Sequence, residues 1–185
     1  MSHNRNISFY LVVGFVFIVL KYWFTTTDTN DFYFLLKPIS KFLNVVSGYN
    51  AVYSPQSGFH YDDLNIVIDK SCSGFNFWLI SFLAFSFVSI KNLQKTKAKL
   101  ISIPLMFIGS YVFSILVNTS RILISILVQS KTVLIFEGHQ SVIHEAIGVV
   151  TNLTFLILAY LLIDITLSKK QRNANFIEPE VAPNP

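Results

Sequence analysis

Long apolar stretches separated by short polar runs dominate this chain of 185 residues. A helix needs about 20 mostly apolar residues to cross a bilayer. Four stretches approach or reach that length: 7–24, 73–91, 100–121 and 143–167. The third stays apolar beyond its end, towards Val128. The pattern therefore predicts one transmembrane domain, 1–168, with four spans.

The first stretch has the length of a signal peptide but lacks a cleavage site of small residues after it. We therefore expect a retained membrane anchor. Segment 32–46 is different, because Lys37, Pro38 and Lys41 interrupt its apolar residues. It predicts an interfacial or re-entrant helix broken at Pro38, and a fifth full span is the alternative.

Residues 47–71 contain turn-forming pairs around short β-like runs such as 65–69. This stretch predicts a short extracytoplasmic hairpin or loop. The fold class is therefore an all-α integral membrane protein. We expect a bundle of about four transmembrane helices with an interfacial or re-entrant helix and this outer hairpin or loop.

Charged residues orient the predicted bundle. The loop 91–99 carries lysines and no acid, and the tail 169–185 begins with a basic cluster before a stretch that predicts disorder. Acidic residues collect in the segments on the opposite side: Asp28, Asp31, Asp62, Asp63, Asp69 and Glu137. The positive-inside rule then places both termini in the cytoplasm.

The composition agrees with a membrane protein. Hydrophobic residues make up 52% of the chain and charged residues only 13%, against about 25% charged in soluble domains. This excludes disorder, a collagen-like chain and an ordinary soluble enzyme. The net charge of +4 comes from basic runs beside apolar spans, so we expect no nucleic-acid partner. A single cysteine excludes an intrachain disulfide and a cysteine-only metal cage.

Three reactive side chains fall at the outer ends of three different spans. Cys72 starts the second span, Arg121 lies near the end of the third, and His144 starts the fourth. Each has a plain structural explanation alone: a small packing residue, an interfacial anchor and an interfacial histidine. However, a charge followed by an apolar run such as 122–128 is costly and usually functional.

These residue types fit thiol chemistry. The N-terminus of a helix favours the Cys72 thiolate, Ser71 and Ser73 can cap free amides or donate to sulfur, and His144 can take the proton. Arg121 stays protonated, so it would stabilise an oxyanion or hold a substrate carbonyl or carboxylate.

Several neighbours are candidates for supporting roles. Asn118 shares a helical face with Arg121 and could orient the guanidinium or donate to the oxyanion. Gly74 and Gly148 would permit close approach of a helix or substrate. His139 and Glu145 are weaker candidates, as a competing histidine and as a cap or orienting acid. The histidines at i and i+5 do not match a zinc-helix spacing, so we expect neither metal nor cofactor.

The ordered motifs resemble the exosortase/archaeosortase family. They are Cys72-Ser73-Gly74, then Asn118-Thr119-Ser120-Arg121, then His144-Glu145-Ala146-Ile147-Gly148. The resemblance covers about residues 60–165 and is to a compact form of the family, such as exosortase K. Many members of the family have more spans than this chain.

The resemblance implies a cysteine transpeptidase or protease of a bacterial cytoplasmic membrane. Its partners would be the bilayer and exported proteins with a C-terminal sorting signal, made of a Pro-containing motif, a membrane helix and a basic tail. Cys72 would be the nucleophile, His144 the base and later acid, and Arg121 the stabiliser. The acyl group would pass to a polymer or lipid acceptor at the cell surface, or to water.

Other functions fit the same residues. A membrane assembly factor or transport subunit without catalytic activity could use Arg121 as an interhelical anchor or anion site. A lipid-modifying or hydrolytic enzyme of the outer leaflet is a third class. The acidic and histidine side chains between 137 and 145 could also be imagined as metal ligands.

Overall fold

The computed structural model describes the backbone of residues 3–132 and 140–177, and the side chains of 6–128 and 145–169. The helices are α1 (His3–Thr26), α2 (Tyr33–Ser47), α3 (Phe75–Asn92), α4 (Thr96–Thr132) and α5 (Gln140–Ile177). The strands are β1 (Val52–Ser54), β2 (Gly58–Tyr61) and β3 (Ile66–Ile68). Short 3-10 turns cover Thr29–Phe32, Asp62–Leu64 and Lys70–Cys72.

Four segments among the described residues are helical, long and apolar enough to cross a membrane: Asn6–Thr26, Lys70–Asn92, Thr96–Val128 and Glu145–Lys169. The mostly helical class predicted from hydropathy is thereby confirmed.

The ends of the helices differ from the prediction. Only residues 93–95 separate α3 from α4, so most of the predicted loop 91–99 is helical. Helix α5 continues to Ile177, and the first part of the predicted tail 169–185 is therefore helical too. Lys, Gln and Arg are good helix formers, so the backbone can stay helical where the apolar pattern ends. The predicted disorder of 178–185 lies outside the described residues.

Helix α3 is the centre of the bundle and packs against α1, α4 and α5. In its apolar segment 67% of the residues are buried, compared with 6% to 22% in the other three. Ser81, Ser86 and Ser89 are fully buried on this helix. Such small side chains let neighbouring helices approach closely without leaving voids.

Helix α2 is continuous through Pro38, which corrects the predicted break. Proline has no N–H, so the carbonyl oxygen of Phe34 loses its partner within the helix. The hydroxyl of Tyr111 on α4 donates to that oxygen at 2.7 Å. The 15 residues of α2 reach about 22 Å, shorter than the about 30 Å of a bilayer core. This length does not support the alternative of a fifth span.

The segment predicted as a hairpin or loop forms a three-stranded antiparallel sheet in the order β1-β2-β3. Phe59 of β2 pairs with Tyr53 on one side and with Ile68 on the other. Gly58 has φ +95°, and a Cβ there would lie 2.2 Å from the carbonyl oxygen of Ile68. Only glycine fits this close approach of β2 and β3.

Tyr61 attaches the sheet to α2. Its hydroxyl donates to the carbonyl oxygen of Ser40 at 2.9 Å and accepts from the side-chain amide of Asn44. The side chain is 1% exposed. Burial raises the pKa of Tyr61 above its usual value, although the hydrogen bond with Ser40 acts in the opposite direction.

Aromatic rings fill the core where the sheet meets the bundle, which we call the sheet end. The ring of Phe75 lies 4.9 Å from Phe24, 5.3 Å from Phe32 and 5.6 Å from Trp78, between centroids. This packing fixes the start of α3 against α1 and α2.

The opposite end, which we call the lysine end, contains the turn between α3 and α4. There the side-chain amide of Asn92 donates to Asp164 at 2.9 Å, which joins α3 to α5. Buried Lys99 donates to the side-chain oxygen of Asn6, which joins α4 to α1.

Candidate functional site at the sheet end

Cys72 is the last residue of the 3-10 turn Lys70–Cys72 rather than the first turn of α3, which begins at Phe75. The carboxylate of Asp69 builds this turn. One of its oxygens, Oδ1, accepts from the backbone N–H of Ser71 at 2.9 Å and of Cys72 at 3.3 Å. Cys72 still lies at the start of the apolar segment Lys70–Asn92. The predicted helical start at 73 is corrected to Phe75, because the Asp69 cap holds Cys72 in a separate turn.

Ser71 connects that carboxylate to the thiol. Its hydroxyl donates to Asp69 Oδ1 at 2.6 Å and lies 3.8 Å from Cys72 Sγ. The Ser71 hydroxyl therefore lies between the Asp69 carboxylate and the Cys72 thiol. The sequence predicts that Ser71 caps free amides or donates to sulfur, and it assigns Asp69 only to the acidic outer side. The signal for Asp69 was its spacing, because aspartate often accepts from the N–H two residues later.

Ser73 and Gly74 shape the step from the turn into α3. Buried Ser73 donates to the carbonyl oxygen of Lys70 at 2.7 Å and accepts from the N–H of Phe75 at 3.3 Å. Gly74 is the N-cap with φ +71°. Its carbonyl oxygen accepts from the N–H of Trp78 at 2.9 Å and from the Ser114 hydroxyl at 3.1 Å.

Lys70 anchors the same turn to α1. Its ammonium donates to the carbonyl oxygen of Thr27 at 2.6 Å and lies 4.7 Å from the ring centre of Phe24. These contacts give Lys70 a structural role, in which it holds the turn against α1.

Asn118 of α4 holds the cysteine backbone directly. Its side-chain amide donates to the carbonyl oxygen of Cys72 at 2.5 Å, and the residue is 1% exposed. A Cβ on Gly74 would lie 3.0 Å from Asn118 Cγ, so the glycine is needed for this approach. The other amide atom, Asn118 Oδ1, is buried with no hydrogen-bond partner among the residues that the structure describes.

Arg121 packs against Gly148 of α5. A Cβ on Gly148 would lie 3.3 Å from Arg121 Nε and 3.5 Å from Cζ. The guanidinium thus covers the backbone of α5 where a side chain is missing. Within the described part of the chain its buried Nε has no hydrogen-bond partner.

His144 belongs to the described backbone of α5, four residues before Gly148. Residues at i and i+4 of a helix lie one above the other on the same face. The backbone position of His144 is therefore one turn from the Arg121 contact, while its side chain lies outside the described residues. His139 also lies outside them, and the side chain of Glu145 is exposed.

A small pocket of about 50 Å³ opens beside Cys72. Its other walls come from β3 and from the second half of α4: Ile66, Val67, Ile68, Ile122, Ser125 and Ile126. Sequence reasoning missed these residues. Ser125 follows Arg121 by one helical turn, and this spacing could have marked it as a site residue. The contribution of β3 depends on tertiary structure and has no such local signal.

The structure thus brings predicted site residues together in two groups. Asn118 contacts Cys72 and Gly74, and Arg121, one turn further along α4, contacts Gly148. Ser73 lies in the turn between Cys72 and Gly74 and bonds within it. Among the described residues, no cluster of three or more His, Cys, Asp or Glu side chains could hold a metal ion.

Comparison of the chain with protein-family models, with curated proteins and with solved structures finds no match. The functional argument therefore depends on the residues of the sheet end alone.

Proposed function

We propose that the protein is a membrane-embedded cysteine transpeptidase or protease of the exosortase type. The observation that carries the proposal is the contact chain from Cys72 through Asn118 to the α4 helix that bears Arg121. It links the only thiol of the chain to a helix with a partly buried guanidinium. The packing of Arg121 on Gly148 extends this link to the helix that bears His144.

The proposed chemistry is acyl transfer. His144 takes the thiol proton, and Cys72 Sγ forms a bond to the carbonyl carbon of the substrate. Arg121 stabilises the negative charge that develops on the carbonyl oxygen. The C–N bond then breaks, the leaving amine takes the proton from His144, and a thioester remains. An acceptor, either water or a surface polymer or lipid, attacks the thioester and restores the thiol.

The proposed substrates are membrane-tethered proteins with a C-terminal sorting signal, cleaved on the outer face of a bacterial cytoplasmic membrane. Charge supports this orientation. Lys91, Lys95 and Lys97 lie at the lysine end, and Asp62 and Asp63 lie beside the sheet. The positive-inside rule puts the lysine end in the cytoplasm and the sheet end outside.

A processing assay tests the proposal. The protein is co-expressed with a tagged protein that ends in a Pro-containing motif, a membrane helix and a basic tail. Cys72→Ala, Arg121→Ala and His144→Ala should each abolish the shortened product while the protein still inserts into the membrane. Ser120→Ala is the matched control, because Ser120 donates only to the Leu116 carbonyl within α4. Unchanged processing by Cys72→Ala would overturn the proposal.

One observation favours a second function, a membrane assembly or transport component without catalysis. Arg121 Nε lies against Gly148 and has no hydrogen-bond partner in the described part of the chain, which also suits an interhelical anchor or an anion site. In that case Arg121→Gln would impair assembly or transport, and Cys72→Ala would leave it intact. A Cys72 thiol that does not react with membrane-impermeant maleimide would also favour this function.

A further inference from the structure

The pocket beside Cys72 has two different walls. Ile66, Val67 and Ile68 of β3 form one side, and the α4 residues form the other. The side chains of both walls are mainly branched and aliphatic. The pocket therefore offers an apolar environment directly next to the thiol.

Ser125 is the one polar α4 residue in this wall. Serines and threonines in helices commonly donate back to the carbonyl four residues earlier. Thr119 does so at 2.8 Å and Ser120 at 2.9 Å on the same helix. Ser125 is only 7% exposed, and its buried Oγ has no hydrogen-bond partner within the described residues. A buried hydroxyl without a partner is costly, so a bound ligand is the natural source of one.

Strand β3 supplies a second kind of recognition. It pairs only with β2 in the described sheet, so its other edge carries backbone groups that the sheet does not use. Such an edge can pair with an extended peptide, whose backbone then runs beside the strand. Strand β3 and Cys72 line the same pocket, so a peptide on this edge would pass close to the thiol.

We infer that the pocket binds the side chain of an extended substrate peptide next to the carbonyl that Cys72 attacks, and that it selects a small aliphatic side chain. Ser125 contributes a hydrogen bond to the peptide backbone. The size supports a small group, since an apolar cavity of about 150 Å³ accommodates benzene and this pocket is about 50 Å³. The inference extends the proposed function by naming its specificity, and it rests on Cys72 being the reactive group.

Peptidyl chloromethyl ketones test the inference without a known substrate. The thiolate displaces chloride, so an Sγ–C bond forms as the C–Cl bond breaks. Two probes differ only in the side chain next to the ketone, valine or glutamate. We expect the valine probe to label Cys72 about tenfold faster, the ratio expected when one aliphatic side chain is buried. A phenylalanine probe should also label more slowly than the valine probe. Equal rates for the valine and glutamate probes would overturn the inference.

Variants of the pocket residues test whether the preference for the valine probe arises in the pocket. Ile126→Phe fills the pocket and should remove the preference for valine. Ile124→Phe is the matched control, because Ile124 is 37% exposed and does not line the pocket. Ser125→Ala should slow the valine probe several-fold and leave N-ethylmaleimide labelling unchanged. Equal slowing of an isobutyl thiosulfonate, which has no peptide bond, would indicate a site for alkyl chains and would overturn peptide recognition.

The two proposals can fail separately. Labelling needs only an accessible thiol, whereas processing of a sorting signal needs catalysis. If the probes show no selectivity but processing still depends on Cys72, only the inference about the pocket is overturned. Selective labelling together with unchanged processing by Cys72→Ala overturns the proposed function.

Discussion

The side-chain amide of Asn118 donates a hydrogen bond to the backbone carbonyl oxygen of Cys72. The bond crosses from the middle of α4 to the turn that precedes α3, so it sets the position of the cysteine relative to Arg121, one turn further along α4. Within the turn itself, Asp69 holds the N–H of the same cysteine. The carbonyl of Cys72 is therefore held by the Asn118 side chain, and its N–H by Asp69, through the backbone carbonyl at 3.0 Å and the carboxylate at 3.3 Å.

Asn118→Ala should lower the free energy of unfolding by about 1–3 kcal/mol, because the Cys72 carbonyl loses a buried donor. It should also reduce processing. Thermal unfolding in detergent measures the first effect, with Ser120→Ala as a control that changes stability by less than about 0.5 kcal/mol. Equal melting temperatures for the two variants would show that the Asn118 bond contributes nothing.

Gly148→Ala should impair activity through Arg121. The new methyl group would lie 3.3 Å from Arg121 Nε, so the guanidinium must shift by a few tenths of an ångström. Gly109→Ala on α4 is the control, because nothing lies within 4 Å of its Cβ position. Alanine favours helix over glycine by about 1 kcal/mol, so the control should gain stability. Full processing by Gly148→Ala would show that the packing of Arg121 on α5 is dispensable.

Gly74→Ala and Gly48→Ala separate backbone strain from crowding. Both glycines have positive φ, +71° and +79°, so each substitution costs about 1–2 kcal/mol in the left-handed region. Only Gly74 has neighbours in the way, with Asn118 Cγ at 3.0 Å, whereas nothing lies within 4 Å at Gly48. Denaturation should therefore show a larger loss for Gly74→Ala. Equal losses would mean that α3 and α4 can move apart at no cost.

Tyr111→Phe removes the donor that satisfies the Phe34 carbonyl and should cost about 1 kcal/mol. Pro38→Ala restores an N–H inside α2 that can bond to the same oxygen. In the Pro38→Ala background, Tyr111→Phe should therefore be nearly neutral. A double-mutant cycle of unfolding free energies measures this coupling. Strictly additive losses would contradict the explanation for the continuous helix.

Tyr61 predicts a dependence of stability on pH. Its pKa is raised in the folded protein, so the folded state holds the phenolic proton more tightly than the unfolded state. The stability that Tyr61 contributes is fully present below the usual tyrosine pKa of about 10. It is lost as the pH rises through the pKa of Tyr61 in the folded protein. Tyr61→Phe should show a smaller loss of stability above pH about 10 than the wild type. Tyr49→Phe, at an exposed tyrosine, is the control substitution.

Hydropathy predicted the helices because the bilayer imposes a length and a composition that are visible locally. The same spans and the motifs made Cys72, Arg121 and Gly148 candidates, but they did not predict the separate 3-10 turn that holds Cys72 before α3. Other features depend on distant partners. Pro38 stays inside a helix because Tyr111, far along the chain, supplies the missing bond. The pocket forms only because β3 packs near α4, which no local pattern encodes.

The most direct test of the central claim is a search for an acyl group on Cys72. The protein is incubated with a sorting-signal substrate, quenched in acid and analysed by mass spectrometry of its peptides. The account predicts a substrate fragment on the Cys72 peptide that hydroxylamine removes, and no such adduct in Cys72→Ala. Cleaved substrate without any adduct on Cys72, and undiminished cleavage in the Cys72→Ala variant, would contradict it.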